Sequence, residues 1–375
     1  MAVLFITHKY PPSTGGMENQ SFQLISGYSL INESYTIIYD GRESIVSFFI
    51  KLRYRVHKML KLHPEIKIIH LNDGLMAAFF ILLRVNGSGR KTVATLHGLD
   101  VVFPLSIYQK KILPLIVRQI DSFICVSKAT KTECLKRNFP IEKLFVVHNG
   151  VTPPIDTEAK NIDFKISGIN FEKDKIILAI GRPVKRKGFS WFAKEVMPLL
   201  SDEYKFIHVG NINTKVPFFY PFLSKRIQRL FDQFTGRADD AENLLNESLF
   251  PANRTFLVGK LSDRQRDFCI SKASFLVMPN IQQAGDMEGF GLVALEGAIM
   301  GKIVLASEIE GITDAIQNNK NGYLLPSAEP ASWVKKIVQL ENTQPASIEF
   351  RDFTIQNYSW SKMVSGYSKV FQTLE

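Results

Sequence analysis

Cysteine is scarce in this chain: three residues among 375. Cys125, Cys134 and Cys269 are scattered and odd in number, so neither a disulfide framework nor a metal-ligand spacing follows, and a reducing compartment is expected. No run of about eighteen apolar residues occurs, which excludes a membrane-spanning helix. The apolar start, Met1 to Thr7, is short and runs into Lys9 and Pro11-Pro12. With no basic n-region and no cleavage site, it is not expected to be a signal peptide. Tandem repeats and low-complexity tracts are also lacking. Charged residues make up 22%, and Gly and Pro are unremarkable, so general disorder is not expected. Acids are the minority charge, 36 against 46 Lys and Arg, for a net +10. Such a chain favours polyanions: nucleic acid, anionic lipid or phosphorylated ligands. Charge alone does not choose among them.

What is present is a long series of short apolar runs. Val3–Thr7, Tyr35–Tyr39, Ile66–Leu71, Thr92–Leu96, Ser122–Val126 and Leu144–His148 form one set. Lys175–Ile180, Lys205–Val209, Thr255–Val258, Ser274–Met278, Ile303–Ala306 and Gly322–Leu325 form a second. Runs this short and this apolar suit parallel strands covered on both faces, with crossover helices between them. The length and the 45% hydrophobic content fit two domains better than one core. The fold class is therefore α/β, with two doubly wound, Rossmann-like domains. Asn149-Gly150, then Val151, Thr152, Pro153 and Pro154 and a polar stretch to about Asp174, mark the linker. The expected division is 1–152 and 153–349. Residues 211–254 are too long for one helix and its loop. They carry aromatics (Phe218, Phe219, Tyr220, Phe222) and acids (Asp239, Asp240, Glu242) and are expected to form an inserted lid or contact surface.

Four strand-end loops hold residue types that handle anions and hydroxyls. After the first strand, Gly15 and Gly16 let backbone N–H groups approach an oxygen-rich ligand ahead of a helix N-terminus. Glu18 follows them. After the fourth strand come His97 and Asp100; a histidine there can bond a hydroxyl or a developing charge. His8, His70, His148 and His208 also lie at strand ends, so position alone does not select His97. After the first strand of the second set, Gly181 opens a loop with Arg182 and Lys187, able to bind phosphate by fork and by point charge. The P-loop spacing is absent, and four basic residues within six positions equally suit a solvated loop or nucleic acid. The fourth loop carries Glu288 and Glu296, eight apart, with Gly289, Phe290, Gly291 and Leu292 between them. Eight residues is roughly two helical turns. The glycines offer backbone to phosphate, and Glu296 suits ribose hydroxyls.

Together and in this order, these segments resemble the retaining glycosyltransferases of the GT-B fold, family 4 type. The resemblance runs from the first strand to about Leu325. Glu288 and Glu296 look like the family's Glu-x7-Glu signature, Arg182 and Lys187 its basic pair, Gly15-Gly16 its glycine loop, and His97 its acceptor-side histidine. Asn149-Gly150-Val151 looks like the crossing into the donor domain. Val258-Gly259-Lys260-Leu261 looks like the strand end that reads the nucleobase through backbone. The resemblance implies two domains facing across a cleft and a nucleotide-diphosphate sugar as donor substrate, with no cofactor and no metal. Arg182 and Lys187 would neutralise the diphosphate, and Gly16 would approach its distal phosphate. Glu288, Phe290, Gly291 and Leu292 would meet sugar and phosphate, Glu296 the ribose, and His97 the transferred sugar. Glu18 and Asp100 are acceptor-side candidates. UDP is the first expectation for the nucleotide and GDP the second. Tyr358-Ser359-Trp360 looks like the closing helix, which places the tail from about 350 on the first domain. Gly297 for alanine, Pro279-Asn280 for Pro-Ser, and the 211–254 insertion depart from the pattern.

Residues 45–62 bear on the acceptor. Ile45, Phe48, Phe49, Leu52, Val56, Met59 and Leu60 share about a third of a helical wheel. Lys51, Arg53, Arg55, Lys58 and Lys61 fill the remaining arc, and no acid occurs from Ser44 to Pro64. One reading is a helix lying on anionic lipid; the other is a helix covering the sheet with a solvated basic face. The resemblance to enzymes acting on lipid-linked glycans favours the first. It implies a cytoplasmic protein, peripheral on the inner face of the plasma membrane. Two rivals remain: a GT-B sugar-nucleotide epimerase and a basic nucleic-acid-binding protein. No helix-turn-helix, zinc finger or RNA-type aromatic motif supports the latter, so no nucleic-acid partner is expected.

Overall fold

A computed structural model describes the chain except residues 86, 88, 154–161, 213–216, 218, 219, 225, 226, 229, 230, 233–236, 238, 246–253, 342–346 and 375. Phe218, Phe219, Pro154 and the side chain of Glu242 therefore lie outside the described residues. The chain forms two compact units. The first comprises Met1–Gly150, Gly285–Leu292 and Tyr358–Glu375, and the second Val151–Ala284 and Val293–Asn357.

The first unit holds a parallel sheet of β1 (Ala2–Thr7), β2 (Ser34–Ile38), β3 (Ile66–Leu71), β4 (Lys91–Leu96), β5 (Ser122–Cys125) and β6 (Leu144–Val146). Its order is β2-β1-β3-β4-β5-β6. Alternate residues of β1 point to opposite faces. Leu4 and Ile6 join Phe48, Leu52 and Val56 on one face, and Val3 and Phe5 join Leu24, Tyr28, Tyr367 and Phe371 on the other. All are buried, which is why the run reads as continuously apolar.

The second unit holds β7 (Lys175–Ile180), β8 (Tyr204–Val209), β9 (Thr255–Gly259), β10 (Phe275–Met278), β11 (Ile303–Ser307) and β12 (Tyr323–Leu325), again parallel, in the order β12-β11-β10-β7-β8-β9. Phe192, Phe206 and Trp333 fill one face, and Leu178, Leu276 and Ala298 lie in the cluster on the other. Every expected strand forms, with ends moved by no more than two residues. The strand order reverses between β1 and β3 in one sheet and between β7 and β10 in the other. Loops at the carboxyl ends of such strand pairs splay apart and open a crevice.

Two boundaries differ from the sequence expectation. Residues 285–292 group with the first unit, because the chain there lies against the loop after β4. The tail joins that unit from Tyr358, not from about 350, since helix Ser347–Asn357 belongs to the second. The last helix, Trp360–Gln372, buries Met363, Val364, Tyr367, Val370 and Phe371.

Helix Ile45–Leu62 forms as expected, with the Ser44 side chain accepting from the Ser47 N–H at its start. Its apolar arc does not face outward. Phe48, Phe49, Leu52, Val56 and Leu60 are buried in the sheet-covering core, and Met59 packs against it, so that arc is not a lipid-facing surface. The basic arc is also less uniform than the sequence implies. Arg55 and Lys51 both reach Glu43, at 2.6 and 3.3 Å. Arg53, Lys58 and Lys61 are exposed. Among the described residues, no helix is long and apolar enough to cross a membrane.

Candidate active site

In the first unit, the loops after β1, β3 and β4 meet at the switch point. His8 Nδ1 lies 3.1 Å from Asp73 Oδ2, joining the first two loops. Asp73 also accepts from the Met76 N–H at 2.8 Å, capping helix Gly74–Leu82. Burial raises its carboxyl pKa, but His8 and that N–H outweigh burial and leave it below the ordinary value.

His97 is half-buried, and among the described residues one hydrogen-bond partner is seen for its ring. Nε2 sits 2.9 Å from the Asn72 carbonyl oxygen. A carbonyl only accepts, so Nε2 carries a proton, and in the neutral ring Nδ1 is left as the acceptor. The backbone N–H of His97 donates to both oxygens of Asp100, at 2.9 and 3.1 Å, and the Gly74 N–H donates to Oδ2 at 3.0 Å. Asp100 was expected on the acceptor side. Its carboxylate instead joins two loops by these three bonds. Burial pushes its pKa up against His97 and the N–H donors.

A buried polar chain supports His97 from below. Asn72 Nδ2 donates to Gln20 Oε1 at 3.0 Å, and Gln20 Nε2 donates to the Tyr367 hydroxyl at 3.1 Å. Tyr367 also bonds Thr95 Oγ1, which bonds His70 Nε2. Burial drives His70 down to about 3, so it stays neutral. The other strand-end histidines thus have structural partners: His8 an acid, His70 this chain, and His148 the ring of Phe290, 5.5 Å away. Nothing in the sequence marks Gln20, Asn72 or Tyr367, because their meeting is tertiary.

The segment Gly285–Leu292 lies on the same loops. A Cβ at Gly289 would overlap the His97 carbonyl oxygen, so only glycine permits this approach. On the facing side, Gly98 has φ +98, and a Cβ there would come within 2.9 Å of Met287 Cγ. Phe290 is buried against His148 and Tyr358. A Cβ at Gly16 would lie 3.2 Å from Leu292 Cδ1. Glu18 covers Gly15 and lies 3.7 Å from Lys9. The structure therefore brings Gly15, Gly16, His97, Gly289, Phe290 and Leu292 into one unit, with half-buried Glu288 on the same strip. Gly289, Phe290, Gly291 and Leu292 were expected in the donor domain; their contacts are with the first unit. Helix Leu292–Ile299 begins after Glu288, so Glu288 and Glu296 do not share a helical face.

In the second unit, the loop after β7 is wedged at the other switch point. His208 donates from Nε2 to the Gly181 carbonyl at 2.8 Å, and burial lowers it to about 4. Lys185–Lys187 make one 3-10 turn ended by Gly188, whose φ is +66. A Cβ at Gly188 would overlap the Pro279 carbonyl, and the Ile281 N–H donates to the Arg186 carbonyl at 2.8 Å. The basic loop is thereby clamped to the end of β10. Lys187 is only 9% exposed, and Arg182 flanks the turn.

Glu296 belongs to this unit. Burial pushes its carboxyl up, opposed by Arg266 and by Lys187. Arg266 was missed from sequence. It follows the Ser262–Gln265 capping box and pairs with Asp263 at 3.2 Å and Asp267 at 3.0 Å. The capping box was the available signal, since it places Arg266 in the first turns of the helix after β9. Gly259 closes β9 with φ +74, no neighbour within 4 Å of an added Cβ, and its carbonyl on the Gly210 N–H; Lys260 and Leu261 follow it.

These two units define the class, a glycosyltransferase of the GT-B fold. The structure matches Anabaena HepE in complex with UDP-glucose at a TM-score of 0.69 and 15% identity, covering 100% of each chain. The chain belongs to the glycosyl transferases group 1 family, whose model matches residues 160–357. The model for glycosyltransferase family 4 matches residues 3–153. An uncharacterised glycosyltransferase of Methanocaldococcus jannaschii is 25% identical over 86% of this chain and 79% of its own length. The amylovoran biosynthesis glycosyltransferase AmsK of Erwinia amylovora is 23% identical over 67% of this chain and 55% of its own.

Proposed function

We propose that this glycosyltransferase moves a hexose or N-acetylhexosamine from a UDP-sugar, with GDP-mannose second, to a glycan or lipid-linked glycan in surface polysaccharide assembly. One observation carries the donor half: the nearly buried Lys187 lies close enough to Glu296 to oppose the rise of its carboxyl pKa, both in the second unit. A low-dielectric cation stabilises a departing diphosphate, and a carboxylate beside it suits ribose hydroxyls. Arg182 and Lys187 carry the charge that a metal would supply elsewhere. His97, with Nδ1 as acceptor, and Glu288 would hold the transferred sugar. The reaction would retain anomeric configuration, the leaving phosphate accepting the acceptor's proton. UDP is expected to raise the melting temperature by several degrees, as ligand at about 100 Kd adds roughly 2.7 kcal/mol. A thermal-shift series of UDP, GDP, ADP and their sugars checks this. Conversion of the nucleotide sugar without acceptor would replace the transferase reading by an epimerase.

We also infer docking on an anionic membrane at the cytoplasmic inner face, through a different stripe of helix Ile45–Leu62 than the buried arc. Val46, Ile50 and Tyr54 recur every four residues and are 63, 71 and 69% exposed. Arg53, Lys58 and Lys61 flank them. Apolar side chains at the centre of a basic face suit a headgroup layer. Changing Ile50 and Tyr54 together to Ser is expected to lower binding to phosphatidylglycerol vesicles about tenfold in flotation. Unchanged recovery would count against this face.

A further inference from the structure

Asp239 and Asp240 belong to the segment between β8 and β9. Its acidic pair is built into the basic loop. The Asp240 N–H donates to the Pro183 carbonyl at 3.0 Å, next to Arg182. Asp239 Oδ1 accepts from the Lys185 N–H at 3.0 Å. Asp240 Oδ2 accepts from the Ser190 hydroxyl at 2.6 Å and its N–H at 3.4 Å, just past Gly188. Asn243 Nδ2 donates to Asp240 Oδ1 at 2.8 Å, which orients the carboxylate. The loop is thus gripped before, within and after the turn that ends in Lys187.

The grip is anchored. Asp240 is buried and starts the short helix Ala241–Leu245. Ala241 and Leu244 are buried, and Leu244 joins the core cluster of Phe189, Phe192 and Phe206. The loop also needs such a grip. Arg182, Lys185, Arg186 and Lys187 crowd four positive charges into six positions, and like charges this close raise the energy of the closed loop. Two carboxylates on its backbone offset that repulsion without covering the side chains' role. Charge-assisted bonds of this kind are about twice as strong as neutral ones.

We propose that Asp239 and Asp240 are positioning residues that brace the 182–187 loop, so that the segment between β8 and β9 sets the geometry of the cations meeting the donor diphosphate. This rests on the reading of Lys187 given above. The brace acts on the loop's phosphate contacts and not on the β9 end, so it should discriminate a diphosphate from a monophosphate.

The test compares UDP and UMP binding by calorimetry. Asp240→Ala is expected to weaken UDP about tenfold while UMP changes less than about twofold. Asp240→Asn keeps one oxygen for Ser190 and is expected to recover most of the loss. Hydrogen exchange of the peptide spanning residues 183–190 is expected to quicken about tenfold in the Asp239→Ala/Asp240→Ala protein. An equal loss of UDP and UMP, or no change in either, overturns the brace. Unchanged exchange also overturns it, and that measurement decides even if the wild type binds no UDP, an outcome that would instead remove the reading of Lys187.

Discussion

Lys187→Ala is expected to lower kcat/KM by about three orders of magnitude, the scale of losing one preorganised charge from a transition state. Lys187 as a whole is 9% exposed and is held by a turn that Gly188, Pro279 and Ile281 fix against β10. A charge already desolvated and aimed needs no reorganisation when the diphosphate departs. The loss should fall mostly on kcat, and UDP should weaken more than uridine. A second readout follows from Glu296. Burial raises its pKa, and Arg266 and Lys187 oppose that rise. Removing Lys187 leaves Arg266 alone, so the pKa climbs further. Nucleotide binding that needs ionised Glu296 is lost as pH falls, and in the variant the loss begins at higher pH. Steady-state kinetics and binding at several pH values check both. A kcat/KM within tenfold of wild type would remove Lys187 from the chemistry.

Gly289→Ala is expected to cut kcat about 100-fold with little change in UDP affinity. The added methyl would overlap the His97 carbonyl oxygen, and Gly98 on the same loop is just as close to the strip, its own added Cβ lying 3.1 Å from Gly289 Cα. The strip bearing Glu288 must then withdraw from the His97 loop. A displacement near 1 Å is enough to cost two orders of magnitude in a positioned reaction. Lys187 and Glu296 lie in the other unit and are untouched by this contact. Kinetics together with circular dichroism separate misplacement from unfolding. A folded variant with wild-type kcat would show that this approach has no catalytic consequence.

Much of the site was legible because its residues cluster at strand ends. Gly181 to Gly188 stands directly after an apolar run and Glu288 to Glu296 follows another across a polar loop, and in a doubly wound sheet the strand end is the ligand edge. What could not be read was which neighbour each residue meets. Asp100 read as an acceptor-side candidate, but two backbone N–H groups, of His97 and Gly74, converge on its carboxylate. The apolar arc from Phe48 to Leu60 looked lipid-facing, yet one periodicity serves a membrane and a sheet equally well. Asp239 and Asp240 looked like a surface patch, and their donors lie about fifty residues earlier in the chain.

The sequence by itself determined the two parallel sheets, since runs of buried, β-rich residues alternating with helical segments leave few other packings. It also determined the residue types at each strand end, and with them the family. Tertiary structure alone decided that residues 285–292 side with the first unit and that Asn72, Gln20 and Tyr367 support His97. It also decided that an acidic pair grips the basic loop. The physical reason is the range of the interactions. Periodicity and turn chemistry act over a few residues, whereas a carbonyl against a glycine or a carboxylate on a distant N–H exists only once the sheets have brought them together.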